Sequence, residues 1–290
     1  MPKKNSWSRY WTSSAFFRPA HFWPLALNTA EPQSGWRQSW KDAWSEVWAS
    51  PRSFSCGDDA ADAVFNLADL STGSVIALVG LTFEARIAAG PGVLVICRGV
   101  GGCAAEILPA AVRGGCRSII SFGVAGGLAP DLVPGDCIVA SAIIDYPAER
   151  PTDPLWSDKL LELIPEARRG AIVGVNAVVS DPCDKRRLAE RTGAIAVDME
   201  SHLVARLAES HGLSFAAVRV VIDPANRAVP PAALLAMASD GGADMTSMIW
   251  EILARPSQVA AMMRIAADAY AARAALVRLR RVLGPDFRCR

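Results

Sequence analysis

The chain has 290 residues, 51% hydrophobic and 20% charged, a balance that excludes a disordered or collagen-like polymer and is ample for a sizeable core. At about 150 residues per domain this length predicts one large domain with extensions. The total charge is +1, but residues 1–52 carry +4 and residues 255–290 carry +6, which leaves −9 for the middle. An acidic centre argues against a nucleic-acid groove, while basic ends suit either solvated tails or an anionic surface such as a cytoplasmic leaflet.

Residues 1–73 hold seven of the nine tryptophans and end in the linker-like run Ser71-Thr72-Gly73-Ser74, so the domain boundary is placed there and the main domain spans 74–290. Within the extension, Trp36, Trp40, Trp44 and Trp48 recur every four residues, which stacks them on one helical face. With Arg37, Lys41 and Arg52 beside it, that stripe suits a membrane interface, and equally a contact with the chain's own domain or a second subunit. No apolar run reaches the ~18 residues that would span a bilayer. The seven cysteines are odd in number, include no CxxC pair and fall mostly in apolar runs, a usage that fits reduced thiols and a cytoplasmic setting.

From Val75 the chain alternates short apolar runs with amphipathic stretches. Residues 75–80, 92–97, 118–127, 136–141, 170–179, 194–197 and 215–223 are expected as buried strands, being rich in Val and Ile and bounded by Gly, Pro or Asp. Residues 101–113, 184–191 and 198–210 are expected as helices, with Asp198 as an N-cap. The class is therefore α/β with a largely parallel or mixed sheet. Beyond Pro231 the chain turns helical, to about 284, ending in a 257–283 helix whose Arg278, Arg280 and Arg281 complement the helix dipole.

Several chemistries lack their signatures. Three histidines, no HExxH and no Cys/His ligand spacing leave a zinc site unsupported, and no GxSxG elbow or phosphate-binding GxxxxGK[ST] loop occurs. What remains is a glycine turn, Gly123–Gly127, at the carboxyl end of a strand, together with carboxylates entering at strand ends, the position where open α/β sheets bind ligands. Glu84 follows the first strand; Glu200 stands where a strand runs into a helix; Asp223 closes the strand 215–223, sharing a face with Arg219 and Val221.

Gly123-Val124-Ala125-Gly126-Gly127-Leu128-Ala129-Pro130 with Pro134-Gly135-Asp136, then Val197-Asp198-Met199-Glu200-Ser201, then Val218-Arg219-Val220-Val221-Ile222-Asp223 resemble, in order and spacing, the purine nucleoside phosphorylase and nucleosidase superfamily over residues 75–230. Leu81–Ala88, Asp198–His202, Asp223–Arg227 and Pro230–Ala233 look most like its hopanoid-associated phosphorylases, or adenosylhopane nucleosidases. The resemblance implies a three-layer nucleoside phosphorylase-like fold, a central mixed sheet flanked by helices plus a C-terminal helical extension, and a homodimer.

It further implies cleavage of the N-glycosidic bond of adenosylhopane, with release of adenine. No metal or organic cofactor is expected, only inorganic phosphate as an optional co-substrate. By resemblance Asp223 protonates the purine, Arg219 orients the loop or the carboxylates, and Glu200 accepts the ribose hydroxyls with Met199 beneath the sugar. Val124, Ala125 and Gly126 line the glycine turn near the sugar, and Val178 and Val179 line the base. Where phosphorylases gather arginines and a hydroxyl, this chain carries Glu84, Ser121 and Val124, so hydrolysis with Glu84 positioning water is favoured; Arg86 and Arg98 keep phosphorolysis open. A substrate resident in the bilayer would give the Trp stripe and the Arg-rich last helix a shared purpose at the inner membrane face. The alternatives are a soluble methylthioadenosine/adenosylhomocysteine nucleosidase and a non-catalytic nucleoside-binding module.

Overall fold

Strand β1 (Val75–Val79) is buried along its whole length, because both faces of the sheet it belongs to are covered. The computed structural model describes residues 75–97, 103–229 and 259–289; the Trp36–Trp48 stripe, the boundary at residue 73, Arg98 and the Pro230–Ala233 motif lie outside them. In chain order β1 is followed by α1 (Thr82–Ala88), β2 (Val93–Cys97), α2 (Cys103–Arg113), β3 (Ser118–Gly127), β4 (Cys137–Asp145), β5 (Ala148–Pro151), α3 (Pro154–Leu163), β6 (Arg168–Gly174), α4 (Pro182–Thr192), β7 (Ala196–Asp198), α5 (Ser201–His211), β8 (Ser214–Asp223) and α6 (Val259–Leu283).

The sheet runs β2-β1-β3-β7-β6-β4-β5, and β8 pairs with both β3 and β4. Strands β3, β7, β6, β4 and β8 therefore close into a ring, from which β1 and β2 extend as a parallel wing. The pairing is mixed: β8 is parallel to β3 and antiparallel to β4. Side-chain alternation sorts the apolar residues into two layers. Val75, Ala77 and Val79 face a core shared with Trp156 and Leu160 of α3 and with Ala272, Leu276 and Leu279 of α6. Ile76 and Leu78 face the other core, with Leu108 of α2 and Val204 and Ala208 of α5. Helices thus cover both faces, as the sequence predicts.

Local chemistry sets the helix ends. Asp153 and Asp181 accept the backbone N–H groups of Trp156 and Cys183 at 3.1 and 2.7 Å, each just ahead of a proline at the first helical position. That Asp-Pro start places α4 two residues earlier than its amphipathic pattern predicts. Gly193 (φ 69°) ends it in the left-handed conformation that glycine adopts without strain. Two expectations are corrected. Helix α5 begins at Ser201 and not at Asp198, because Val197 and Asp198 are still paired with Val173 and Gly174 of β6. Strand β6 stops at Gly174 and does not continue to Val179, because its partner β7 ends at Asp198, whose carbonyl takes the last ladder bond from the Val175 N–H at 2.9 Å.

Near its end, helix α6 is tied to the rest of the domain by Arg280. Arg280 Nε donates to the carbonyl of Ala88 at the end of α1 at 3.0 Å, and its guanidinium lies 4.4 Å from the ring centroid of Phe287. Phe287 is wholly buried, meets Phe122 edge-to-face at 5.2 Å, and accepts a 2.9 Å bond from Trp156 Nε1 on its carbonyl. Arg280 therefore serves packing as well as the helix end, while Arg278 and Arg281 remain exposed. Among the described residues no helix is long and apolar enough to cross a membrane.

Candidate active site

The site forms where β1, β3, β7 and β8 end together. Glu84 lies in the first turn of α1 and bends back so that Oε2 accepts the N–H groups of Gly80 and Leu81 at 2.9 and 2.8 Å, while Oε1 accepts that of Val124 at 2.7 Å. A short helix leaving a buried strand presents its free N–H groups at this point, and an acidic side chain satisfies them. The third bond ties α1 to the glycine turn of β3. Burial pushes the Glu84 carboxyl above its ordinary range, against the opposing pull of Arg219 and of these N–H groups.

Arg219, in the middle of β8, is wholly buried. Its Nε stands 2.7 Å from Asp198 Oδ2, and its Nη2 lies 2.6 Å from Ser121 Oγ, 3.1 Å from Ser201 Oγ and 3.6 Å from Glu200 Oε2. Its Nη1 reaches the carbonyl of Val124 at 3.4 Å. A buried guanidinium survives only with such a set of acceptors. Asp198 does cap α5 in part, since Oδ1 accepts the N–H of Ser201 at 3.1 Å, but its other oxygen faces Arg219, a role that the capping reading misses. Ser201 also donates its hydroxyl to Asp198.

Glu200 occupies the rim of this cluster. Burial raises its carboxyl to about 7, with Arg219 opposing and the Asp198 and Glu84 charges adding to the rise. The two glutamates lie on either side of residue 80: Glu84 takes its N–H, and a Cβ added there would stand 2.5 Å from Glu200 Oε1. Gly123 is crowded from the same side: a Cβ there would collide with Glu84 Oε1 and stand 2.6 Å from Arg219 Nη1. Three carboxylates around one guanidinium, at the head of a glycine turn, form a site that is acidic on balance.

Asp223 stands apart from that cluster, at the end of β8. The β3–β8 register runs Ala125 to Val221 and then Gly126 to Asp223, so a bulge skips Ile222 and re-aims the carboxylate. A Cβ on Gly126 would lie 3.2 Å from Asp223 Oδ1. Asp223 Oδ2 accepts a hydrogen bond from Lys185 of α4, whose Nζ also donates to the carbonyl of Pro224 at 2.9 Å. Burial pushes the Asp223 carboxyl up, while Lys185 and Arg227 pull it down. Arg227 is in turn paired with Asp268 of α6.

The structure thus gathers Glu84, Glu200, Arg219, Val124 and Gly126, with Asp223 on the far side of Gly126. Met199 is 38% exposed and Val178 41% exposed, both open to a ligand, whereas Val179 packs against the small core cluster of Leu128, Val173, Ala194 and Val197. Ala125 is buried toward the opposite core with Val221, so its backbone, and not its methyl, borders the turn. Arg86 is exposed two positions beyond Glu84, roughly 200° around the helix, and so is not brought to the carboxylates. Lys185 is absent from the residues that the sequence singles out. The one signal for it is spacing, since it falls three and four residues before Leu188 and Ala189, which pack inward. Among the described residues no group of three His, Cys, Asp or Glu side chains is placed to hold a metal ion.

A family model described as the phosphorylase superfamily matches residues 55–254. Among curated proteins the chain is similar to the 5′-methylthioadenosine/S-adenosylhomocysteine nucleosidases of Mycobacterium bovis and Mycobacterium tuberculosis, 24% identical over 190 residues that cover 51% of this chain and 70% of each relative. Among solved structures it is similar to the 5′-methylthioadenosine/S-adenosylhomocysteine nucleosidase of Campylobacter jejuni (TM-score 0.49, 14% identity, 71% of this chain and 97% of that one). It is also similar to the futalosine hydrolase of Helicobacter pylori (TM-score 0.47, 18% identity, 62% and 98%).

Proposed function

The chain belongs to the phosphorylase superfamily and is an enzyme that cleaves N-glycosidic bonds, and we propose that it is a hydrolase releasing adenine from adenosylhopane. The observation that carries hydrolysis is Glu84, a buried carboxylate bound to the Val124 N–H at the glycine turn, where an anionic nucleophile would need positive charge. Two like charges about 4 Å apart repel by about 4 kcal/mol at an effective dielectric constant near 20. Water, by contrast, gains a base there.

Glycosidic scission passes through an oxocarbenium-like state, so the leaving group needs an acid and the sugar needs negative charge nearby. Asp223 supplies the acid: its proton passes to a purine ring nitrogen as the bond to the sugar breaks and the electron pair leaves with adenine. Ionised Glu200 accepts the ribose hydroxyls above the exposed Met199. Glu84 takes the proton of the attacking water, and Arg219 holds the orientation of Asp198 and Glu200. The motif likeness in residues 81–88, 198–202 and 223–227 supports the hopanoid substrate. For a substrate of that kind, a homodimer would lean on the inner face of the membrane through the exposed Arg278 and Arg281 and the basic N-terminal segment.

The mycobacterial relatives favour a second reading, hydrolysis of methylthioadenosine or adenosylhomocysteine. Adenine release from adenosylhopane in detergent, measured with and without phosphate and with Asp223→Asn as the blank, tests both. Release without phosphate is expected. Strict phosphate dependence would overturn hydrolysis, and turnover of methylthioadenosine alone would overturn the lipid substrate.

A further inference from the structure

Lys185 is a fully buried lysine whose ammonium is spent on a single carboxylate, Asp223, and on the carbonyl of the residue that follows it, Pro224. Nothing in the packing of α4 requires a cation there, since the same face continues with Leu188 and Ala189, and a buried charge is retained at a cost unless it is paired. The pair is also asymmetric. Lys185 engages Oδ2 and not Oδ1; both oxygens border the glycine turn, 3.4 and 3.2 Å from where a Cβ on Gly126 would stand.

We propose that Lys185 is the positioning residue of the acid: by holding Oδ2 it leaves the transferable proton on Oδ1, and its charge meets the carboxylate that forms as adenine takes that proton. The inference rests on the reading of Asp223 as the acid and extends it to a residue on another element. In the step, the Oδ1–H bond breaks, an N–H bond forms on the purine, the glycosidic electron pair goes to the base, and the ammonium keeps all its protons. The charged groups facing Asp223 are Lys185 from α4 and Arg227 from the loop after β8, the latter bound to Asp268 of α6. Arg227 divides its charge between two carboxylates, whereas no other carboxylate is recorded against Lys185 among the described residues.

The direction of the effect follows from the charges. Lys185 lowers the Asp223 pKa and burial raises it, so removing the ammonium keeps Asp223 protonated to higher pH and makes it a weaker acid. In Lys185→Met the alkaline limb of kcat should move up by about 1–3 pH units, the range for an opposite charge within contact distance, while the plateau falls at least about tenfold. A packing role alone would lower the plateau and leave the limb in place. Lys185→Gln, which keeps a donor to Oδ2 but no charge, should show the same shift with a smaller fall, and it carries the test if the methionine variant does not fold. An unmoved limb in a folded variant overturns the proposal. Absence of adenine release by the unsubstituted enzyme would instead be a failure of the functional reading, and the two results are distinct.

Discussion

Glu200 rests its carboxylate on the backbone of Gly80: a Cβ on residue 80 would lie 2.5 Å from Oε1 and 2.7 Å from Cδ. The same glycine gives its N–H to Glu84 at 2.9 Å, so one residue without a side chain spaces the two glutamates. In Gly80→Ala the methyl has to displace Glu200. Because a shift of about 1 Å costs on the order of 10²-fold in rate, kcat/KM for adenine release should fall by about that factor while the far-ultraviolet circular dichroism stays unchanged. Steady-state kinetics on the purified variant checks it.

Glu200 titrates at about 7 because burial disfavours its charged form. In the proposed role the ionised form accepts the ribose hydroxyls, so kcat/KM should rise with pH through about 7, and Glu200→Gln should abolish that limb. Stability runs the other way. A carboxyl whose folded pKa lies above its unfolded value of 4.5 favours folding below that value, and the advantage is lost as pH rises through about 7. Urea midpoints at acidic and alkaline pH should therefore differ less in Glu200→Gln than in the parent.

Arg219→Met should be strongly destabilising. It strands Asp198, Glu84 and Glu200 beside one another with no cation, and removing one partner of a buried ion pair costs about 3–5 kcal/mol. Adding Asp198→Asn should recover part of the loss, because the closest uncompensated charge is then gone. Denaturant unfolding of the single and double variants measures the coupling.

Glu84→Gln puts an amide where three backbone N–H groups converge, so one donor is turned against another at about 1–3 kcal/mol. As the loss of a general base, it should reduce hydrolysis by about 10²–10⁴-fold. Raising phosphate should not restore the rate if water is the nucleophile. Product analysis for ribosylhopane against phosphoribosylhopane decides this directly.

Much of the sheet was legible because continuous Val/Ile runs bounded by Gly, Pro or Asp have few alternatives to a buried strand. Strand β5 was not, since Ala148-Glu149-Arg150-Pro151 is a polar edge strand with no apolar run to mark it. Helix α3 was hidden for a related reason: it mixes charged and apolar positions, and its Asp153-Pro154 start is the clearest sign of it. At the site, Glu84, Glu200, Arg219 and Asp223 could be named from their places at strand ends and from the motif likeness. From its position alone Asp198 reads as a cap, because local sequence cannot show a partner 21 residues away on another strand.

The α/β class, the alternation that divides the apolar residues between two faces, and the carboxylates at the strand ends follow from local periodicity and residue type, which the chain carries in its order of residues. Which charges meet is fixed by the folded arrangement. The closure of β8 between β3 and β4 buries Arg219 among three acids. The bulge beside Gly126 turns Asp223 away from that group and onto Lys185. Pairings of that kind are set by the register and packing of elements distant in the chain, where a one-residue shift moves a side chain to the other face of the sheet.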